Sequence, residues 1–191
     1  MIYLDTNIVI SLLAEDDGSD AAKQWWGAQS VPLCVSAWVT AEFYSHIGLR
    51  CRKHELTSRQ ASAYVEEFDD LVATNLTLVK SSDAAILRAS AWLRSPDCAL
   101  QSSDALHLAI ALENEAAAIA TFDQRFARGI EKLRITGLKV IALPAAGTRH
   151  QIQQKPADYN VTERDIAKAV KWARKRKVAE REKTPRLTVR G

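Results

Sequence analysis

The sequence has the length and composition of one globular domain with an appended segment. Its 191 residues are 47% hydrophobic and 26% charged, and a chain of this length can bury a sizeable core. No apolar run reaches the roughly 20 residues needed to cross a bilayer, and the first residues do not form a basic and then apolar leader, so we expect a cytoplasmic protein. The three cysteines are too scattered for a disulfide framework, and Cys34, in an apolar run, is expected in the core.

The net charge of +3 is unevenly distributed along the chain. Residues 148–191 contain 13 lysines and arginines against five acidic residues, a net charge of +8, whereas residues 1–147 have a net charge of −5. Prolines, a glycine and polar residues between positions 144 and 156 indicate a linker. We therefore predict a domain over residues 1–147 and a linker with a basic tail, helical from Glu163 to about Lys183, over residues 148–191.

Short apolar runs alternate with longer amphipathic ones along the first 147 residues. In chain order, the pattern predicts a strand at 2–4, helices at 7–13 and 19–29, a strand at 33–35, helices at 37–52 and 58–74, a strand at 76–79, helices at 83–93 and 102–116, a strand at 118–121, a helix from just after Asp123 to 133, and a strand at 139–143. Strands separated by helices imply a parallel sheet with right-handed crossovers, and therefore an α/β sandwich.

The helix at 37–52 has the clearest apolar face. Val39, Phe43 and Ile47 recur every four residues, and we expect Ala41 and Tyr44 to broaden the face that they form. Glu42 interrupts this apolar helix, and an acid beside core-facing residues is costly unless something compensates its charge.

Three further acids lie where elements begin or end. Asp5 ends the first strand, Asp123 follows the strand at 118–121, and Asp104 lies in the first turn of an apolar helix. The carboxyl ends of parallel strands line the crevice where α/β proteins bind ligands. A divalent cation could neutralise such carboxylates, and oxygen ligands without cysteine or paired histidine favour Mg²⁺ or Mn²⁺ over zinc.

The alternative is that these acids only cap helices. Asp5, Asp104 and Asp123 each precede or begin a predicted helix, where a carboxylate accepts hydrogen bonds from backbone amides. Glu42 lies inside its helix and caps nothing. The residue pattern by itself leaves capping and metal binding open for the three aspartates.

Four short motifs occur in order along the chain, namely MIYLDTN at 1–7, VSAWVTAE at 35–42, SDALHLA at 103–109 and TFDQRF at 121–126. Together they resemble the PIN-domain nucleases, in particular the VapC toxins of type II toxin–antitoxin systems, over roughly residues 1–143. The resemblance implies a three-layer α/β/α sandwich with a central, mainly parallel sheet. It also implies Mg²⁺- or Mn²⁺-dependent endonucleolytic cleavage of RNA, such as tRNA or rRNA, a protein antitoxin as partner, and a homodimer.

The resemblance identifies Asp5, Glu42, Asp104 and Asp123 as the catalytic acids. We expect these acids to hold one metal firmly, with Asp5, Asp104 and Asp123 as its ligands and a second metal recruited by the phosphate. The metal would activate a water molecule for in-line attack on the phosphodiester.

Supporting roles fall on the residues around these acids in the same motifs. Thr6 and Asn7 are expected to orient Asp5 by hydrogen bonds, and Thr121 to brace the fourth acid. Ser103 is expected to cap its helix rather than to contact the metal. For His107 we expect a supporting or structural role.

An acidic site repels RNA, so the substrate must be held by cations elsewhere. Arg125 and Arg128 follow the fourth motif, and the tail supplies Lys168, Lys171, Arg174, Lys175, Arg176 and Lys177. The tail could instead be a solvated extension, dock on its own domain or mimic an antitoxin segment. Two other functions also remain open, namely an RNA-processing nuclease without a toxin role and a catalytically inactive nucleic-acid-binding or regulatory module.

Overall fold

The computed structural model describes residues 1–14 and 16–144. The tail 148–191, its predicted helix and the predicted boundary at residue 147 lie outside these residues. The described residues form β1 (Ile2–Leu4), α1 (Thr6–Leu13), α2 (Ser19–Gly27), β2 (Leu33–Ser36), α3 (Ala37–Arg52), α4 (Ser58–Thr74), β3 (Thr77–Val79), α5 (Asp83–Leu93), α6 (Ser102–Glu113), β4 (Ala118–Thr121), α7 (Gln124–Lys132) and β5 (Lys139–Ala142). No helix among them is both long and apolar enough to span a membrane. The predicted order of helices and strands is confirmed.

The five strands form one parallel sheet in the order β3-β2-β1-β4-β5. The inner strands β1, β2 and β4 are buried along their whole length, as expected for strands covered on both faces, whereas the edge strands β3 and β5 are partly exposed. Helices join consecutive strands, and the predicted α/β sandwich with a parallel sheet is confirmed.

The topology brings three strand ends to one edge of the sheet. Chain order runs outward from β1 to β2 and β3 on one side, and β4 and β5 lie on the other side. The direction of winding therefore changes at β1, and the crevice at the carboxyl ends of such strands is where ligands bind. Asp5 follows β1 there, Ser36 ends β2, and Thr121 ends β4.

The predicted buried face of α3 is only partly correct. Val39, Phe43 and Ile47 are buried, and the Phe43 ring stacks on Phe68 of α4 with a centroid separation of 4.3 Å. Ala41 and Tyr44 are exposed, so the prediction that they broaden this face was wrong. At about 100° per residue, Ala41 lies on the side of the helix opposite Val39, and Tyr44 is turned well away from Phe43.

Candidate active site at the carboxyl edge of the sheet

Asp5 is a buried carboxylate at the start of α1, with 7% of its surface exposed. Its Oδ2 accepts hydrogen bonds from Asn7 Nδ2 at 2.7 Å and from Thr121 Oγ1 at 2.6 Å. Its side chain does not cap α1, although it occupies the N-cap position. Burial raises the pKa of Asp5, and this effect outweighs the opposing influence of His107 and Thr121. A nearby cation would therefore stabilise the ionised form.

Glu42 lies inside α3 with both carboxylate oxygens engaged by side chains. Its Oε2 accepts a hydrogen bond from Thr6 Oγ1 and lies 2.7 Å from His107 Nε2, and its Oε1 accepts a hydrogen bond from Ser103 Oγ. Burial alone would raise the pKa of Glu42, but His107 and the two hydroxyls together lower it to about 2. Glu42 is thus an ionised acid held by donors from two other helices.

Asp104 and Asp123 do cap helices, each with one oxygen. Asp104 Oδ2 accepts from the Gln101 amide at 3.3 Å in a capping box of α6. Asp123 Oδ1 accepts from the amides of Arg125 at 2.6 Å and Phe126 at 3.0 Å at the start of α7. Asp104 Oδ1 and Asp123 Oδ2 lie outside these capping bonds. Helix capping and membership of an acidic cluster are therefore compatible in this fold.

The acids act on one another electrostatically. Burial raises the pKa of Asp104, and the negative charges of Asp123 and Asp5 raise it further, against the opposing effect of the Gln101 amide. The charge of Glu42 also contributes to the raised pKa of Asp5. The structure therefore brings the four acids predicted from the sequence into one region.

The donor chemistry of this region fits a hard divalent cation. In residues 1–14 and 16–144, no three histidine, cysteine, aspartate or glutamate side chains form a preassembled ligand group. Asp5 Oδ2, Asp104 Oδ2 and Asp123 Oδ1 nevertheless accept these hydrogen bonds, and the second oxygen of each residue lies outside them, with Asp5 Oδ1 3.6 Å from His107 Nε2. Carboxylate oxygens are the ligands that Mg²⁺ and Mn²⁺ prefer, and these three residues would hold such an ion.

Asn7 and Thr121 connect the first acid to the loop of the fourth. Asn7 donates to Asp5, as expected from the sequence, and also to Thr121 Oγ1 at 3.1 Å, while its own Oδ1 accepts from the Phe122 amide at 3.1 Å. Thr121 Oγ1 accepts from the Asp123 amide at 2.9 Å. The Thr121 hydroxyl donates to Asp5, so Thr121 contacts both the side chain of Asp5 and the backbone of Asp123.

Ser103 differs from its predicted role, and Thr6 has a second partner besides the predicted one. The backbone amide of Thr6 acts on Asp5 and lowers its pKa, whereas the Thr6 hydroxyl donates to Glu42. Ser103 does not cap α6, since the helix begins at Ser102 with Gln101 as its N-cap. Its hydroxyl donates to Glu42 instead.

Tyr3 and Ser36 join the site without having been predicted. The Tyr3 hydroxyl lies 2.8 Å from Ser36 Oγ and 3.0 Å from His107 Nδ1. A signal was present in the sequence, because a tyrosine in a fully buried strand must find a partner for its hydroxyl.

A family model described as PIN domain matches residues 2–131 of this chain. The chain belongs to the PIN-domain family.

Solved structures share the fold of this PIN domain. VapC20 of Mycobacterium tuberculosis, a toxin that cleaves the sarcin-ricin loop, is 22% identical with a TM-score of 0.54, covering 67% of this chain and 94% of its own. FitAcB from Neisseria gonorrhoeae is 16% identical with a TM-score of 0.55, covering 74% and 96%. VapBC2 from Rickettsia felis, bound to a DNA fragment from its promoter, is 18% identical with a TM-score of 0.50, covering 75% and 99%. A comparison with curated protein sequences found no match.

The predicted RNA-contacting residues divide between the PIN domain and the tail. Arg125 and Arg128 lie exposed on α7, the helix that Asp123 caps. The tail cations, from Lys168 to Lys177, lie outside the described residues.

Proposed function

We propose that this PIN domain is a Mg²⁺- or Mn²⁺-dependent endoribonuclease that acts as the toxin of a type II toxin–antitoxin system. The observation that carries the proposal is the difference in hydrogen bonding among the four acids. Asp5, Asp104 and Asp123 are each anchored through one oxygen, whereas Glu42 is engaged through both. Membership of the PIN-domain family supports the same function.

The residues of the chain prepare the site in three ways. Asn7 and Thr121 fix the direction of Asp5, and the capping bonds fix Asp104 and Asp123 at two helix starts. Asp5, Asp104 and Asp123 would hold a divalent cation, which when bound would supply acidity to water and positive charge to offset that of the phosphate. Glu42, as the fourth acid, adds negative charge that draws a cation to this edge of the sheet.

RNA binding must come from cations outside the acidic cluster, because phosphate neutralisation dominates affinity for nucleic acids. Exposed Arg125 and Arg128 on α7 are suitably close in sequence to Asp123, and the tail over residues 148–191 carries a net charge of +8. We assign substrate binding to these two groups. Deleting residues 148–191 should weaken RNA cleavage, whereas a faster rate without the tail would contradict this assignment.

Two surfaces of the domain support protein partners. A cleft of about 490 Å³ between α3 and α4, with Ile47 and Val65 among its walls, could take an apolar segment of an antitoxin. The outer face of α5 exposes Ile86 and Leu87 by 53% and 70%, an arrangement consistent with a homodimer contact. The similar structures include the toxin VapC20 and VapBC2, and this similarity supports an antitoxin as the protein partner.

The decisive experiment compares the full chain with its Asp5→Asn variant. RNA cleavage should require Mg²⁺ or Mn²⁺, stop with EDTA, and disappear in Asp5→Asn, while Asp69→Asn on the exposed side of α4 stays active. Circular dichroism checks that both variants fold. Full activity of folded Asp5→Asn would refute the site, and sequencing RNA ends after induced expression would identify the target. Growth arrest on expression separates a toxin from an RNA-processing enzyme.

A further inference from the structure

His107 of α6 is a buried histidine with both ring nitrogens occupied. Only 2% of its surface is exposed. Its Nδ1 lies 3.0 Å from the Tyr3 hydroxyl, and its Nε2 lies 2.7 Å from Glu42 Oε2 and 3.6 Å from Asp5 Oδ1. The ring also packs edge-on against Tyr3 at a centroid separation of 5.8 Å. One side of the imidazole thus faces two acids of the candidate site, each from a different element.

The proton of Nε2 is fixed by its partner. An ionised carboxylate only accepts hydrogen bonds, so His107 Nε2 must donate to Glu42 whether the ring is neutral or charged. The Tyr3 hydroxyl can donate to Nδ1 of a neutral ring or accept from a charged one. In either arrangement the Tyr3 hydroxyl holds the ring at Nδ1, and the Nε2–H bond points toward Glu42.

The contacts of His107 close a loop through four elements, β1, β2, α3 and α6. Ser36, which ends β2 and caps α3 by accepting from the Val39 amide, lies within hydrogen-bond distance of Tyr3 on β1. Tyr3 contacts His107 on α6, and His107 contacts Glu42 on α3 again. A shift of α6 relative to α3 would break this loop, so it fixes the two helices that carry Glu42 and Asp104.

We infer that His107, oriented by Tyr3, is a positioning residue of the proposed nuclease site, where it holds Glu42 in place and separates its carboxylate from that of Asp5. The inference rests on the proposed function. Without this donor, two neighbouring carboxylates face each other, and like charges at close range disfavour the ionised form of both. Hydrogen-bond partners of this kind typically change metal affinity or activity by about 10- to 100-fold when they are removed.

A simple packing role makes a different prediction from a positioning role. If His107 only fills space, an apolar residue of similar size should preserve metal binding and catalysis in the folded protein. If its donor matters, His107→Leu should impair both, and His107→Gln should restore them because the amide can still donate to Glu42. Tyr3→Phe keeps the ring packing but removes the hydroxyl behind Nδ1. Tyr44→Phe on the exposed side of α3 is the matched control.

The test uses the full chain and three measurements, namely thermal unfolding, Mn²⁺ affinity by electron paramagnetic resonance of the free ion, and kcat and KM on a short RNA. We expect His107→Leu to lower Mn²⁺ affinity and kcat by about 10- to 100-fold with KM little changed. Tyr3→Phe should show a smaller loss of the same kind. His107→Gln should stay near wild type, and Tyr44→Phe should equal wild type in Mn²⁺ affinity, kcat and KM.

Three results would overturn the inference. The first is a folded His107→Leu protein with wild-type Mn²⁺ affinity and kcat, and the second is an equal loss in the Gln and Leu variants. The third applies if His107→Leu does not fold, and it is a Tyr3→Phe protein with unchanged Mn²⁺ affinity and kcat. A wild-type chain without Mn²⁺-dependent cleavage would instead refute the proposed function, so the two failures are distinguishable.

Discussion

Replacing Thr121 with valine isolates the contribution of one hydroxyl to the site. Thr121 is completely buried at the end of β4, and valine has nearly the same shape. Its Oγ1 donates to Asp5 Oδ2 at 2.6 Å and accepts from the Asp123 amide at 2.9 Å and from Asn7 Nδ2 at 3.1 Å. Valine therefore removes one hydrogen bond to a charged group and leaves a backbone amide and a side-chain amide each short of an acceptor.

The structure gives the size of the expected effect. Loss of a hydrogen bond to a charged group, together with a poorly paired amide, should lower the free energy of unfolding by about 3 kcal/mol. For a domain of this size, that corresponds to a fall in Tm of about 6 to 12 °C. Loosening of Asp5 should also lower the rate of RNA cleavage.

Thermal unfolding followed by circular dichroism measures this difference at neutral pH. Thr77→Val is the matched control, because Thr77 lies on the exposed edge strand β3 and its side chain makes no hydrogen bond within residues 1–14 and 16–144. The control should leave Tm nearly unchanged. Equal melting of the two valine variants would refute the reasoning that Thr121 is a brace of the site.

Three further predictions concern residues outside the acidic cluster. Phe68→Ala removes the ring stacked on Phe43 and should cost about 3 to 5 kcal/mol in urea unfolding, and a loss no larger than that of a surface substitution would contradict the packing. Burial raises the pKa of the Cys34 thiol to about 11, so mass spectrometry should find it alkylated only after unfolding, later than the other two cysteines. The hydrogen bond to Asp69 raises the pKa of Tyr44 to about 12, so Asp69→Ala should return it toward 10.0 in an ultraviolet titration assigned with Tyr44→Phe. Because the folded-state pKa is raised, the stability from this bond is present below about pH 10 and is lost as pH rises toward 12.

Local patterns in the sequence were sufficient for most of the fold. Helix α3 begins and ends where predicted, because its apolar spacing is a signal within a short stretch of chain. The three inner strands were recognised for the same reason, since strands covered on both faces are continuous apolar runs. Their parallel arrangement followed from the helices between them.

Contacts between distant elements were harder to predict. The sequence indicated that Glu42 is unusual, but not that Thr6, Ser103 and His107 all donate to it. Those partners depend on which helices are neighbours and on where each helix starts. Ser103 lies inside α6, one residue after its first, so its hydroxyl is available for Glu42 rather than for a cap.

Helix capping and metal binding are not mutually exclusive for Asp104 and Asp123, although the sequence presented them as alternatives. A carboxylate has two oxygens, and a helix start uses only one of them in Asp104 and in Asp123. Asparagine at either position would retain an acceptor for the cap while it removes the charge. The two contributions of these residues, to folding and to the proposed chemistry, can therefore be separated by one substitution.

The position of β1 in the sheet determines when the site can form during synthesis. β1 precedes the other four described strands in the chain, yet its neighbour β4 is the fourth of the five, with Ile2 paired to Ala118. A growing chain that has not yet reached Asp123 contains at most three of the four acids and lacks the brace that Thr121 gives to Asp5. Translation products that end before Asp123 therefore cannot carry the assembled site, and it forms only once β4 and the start of α7 have been made.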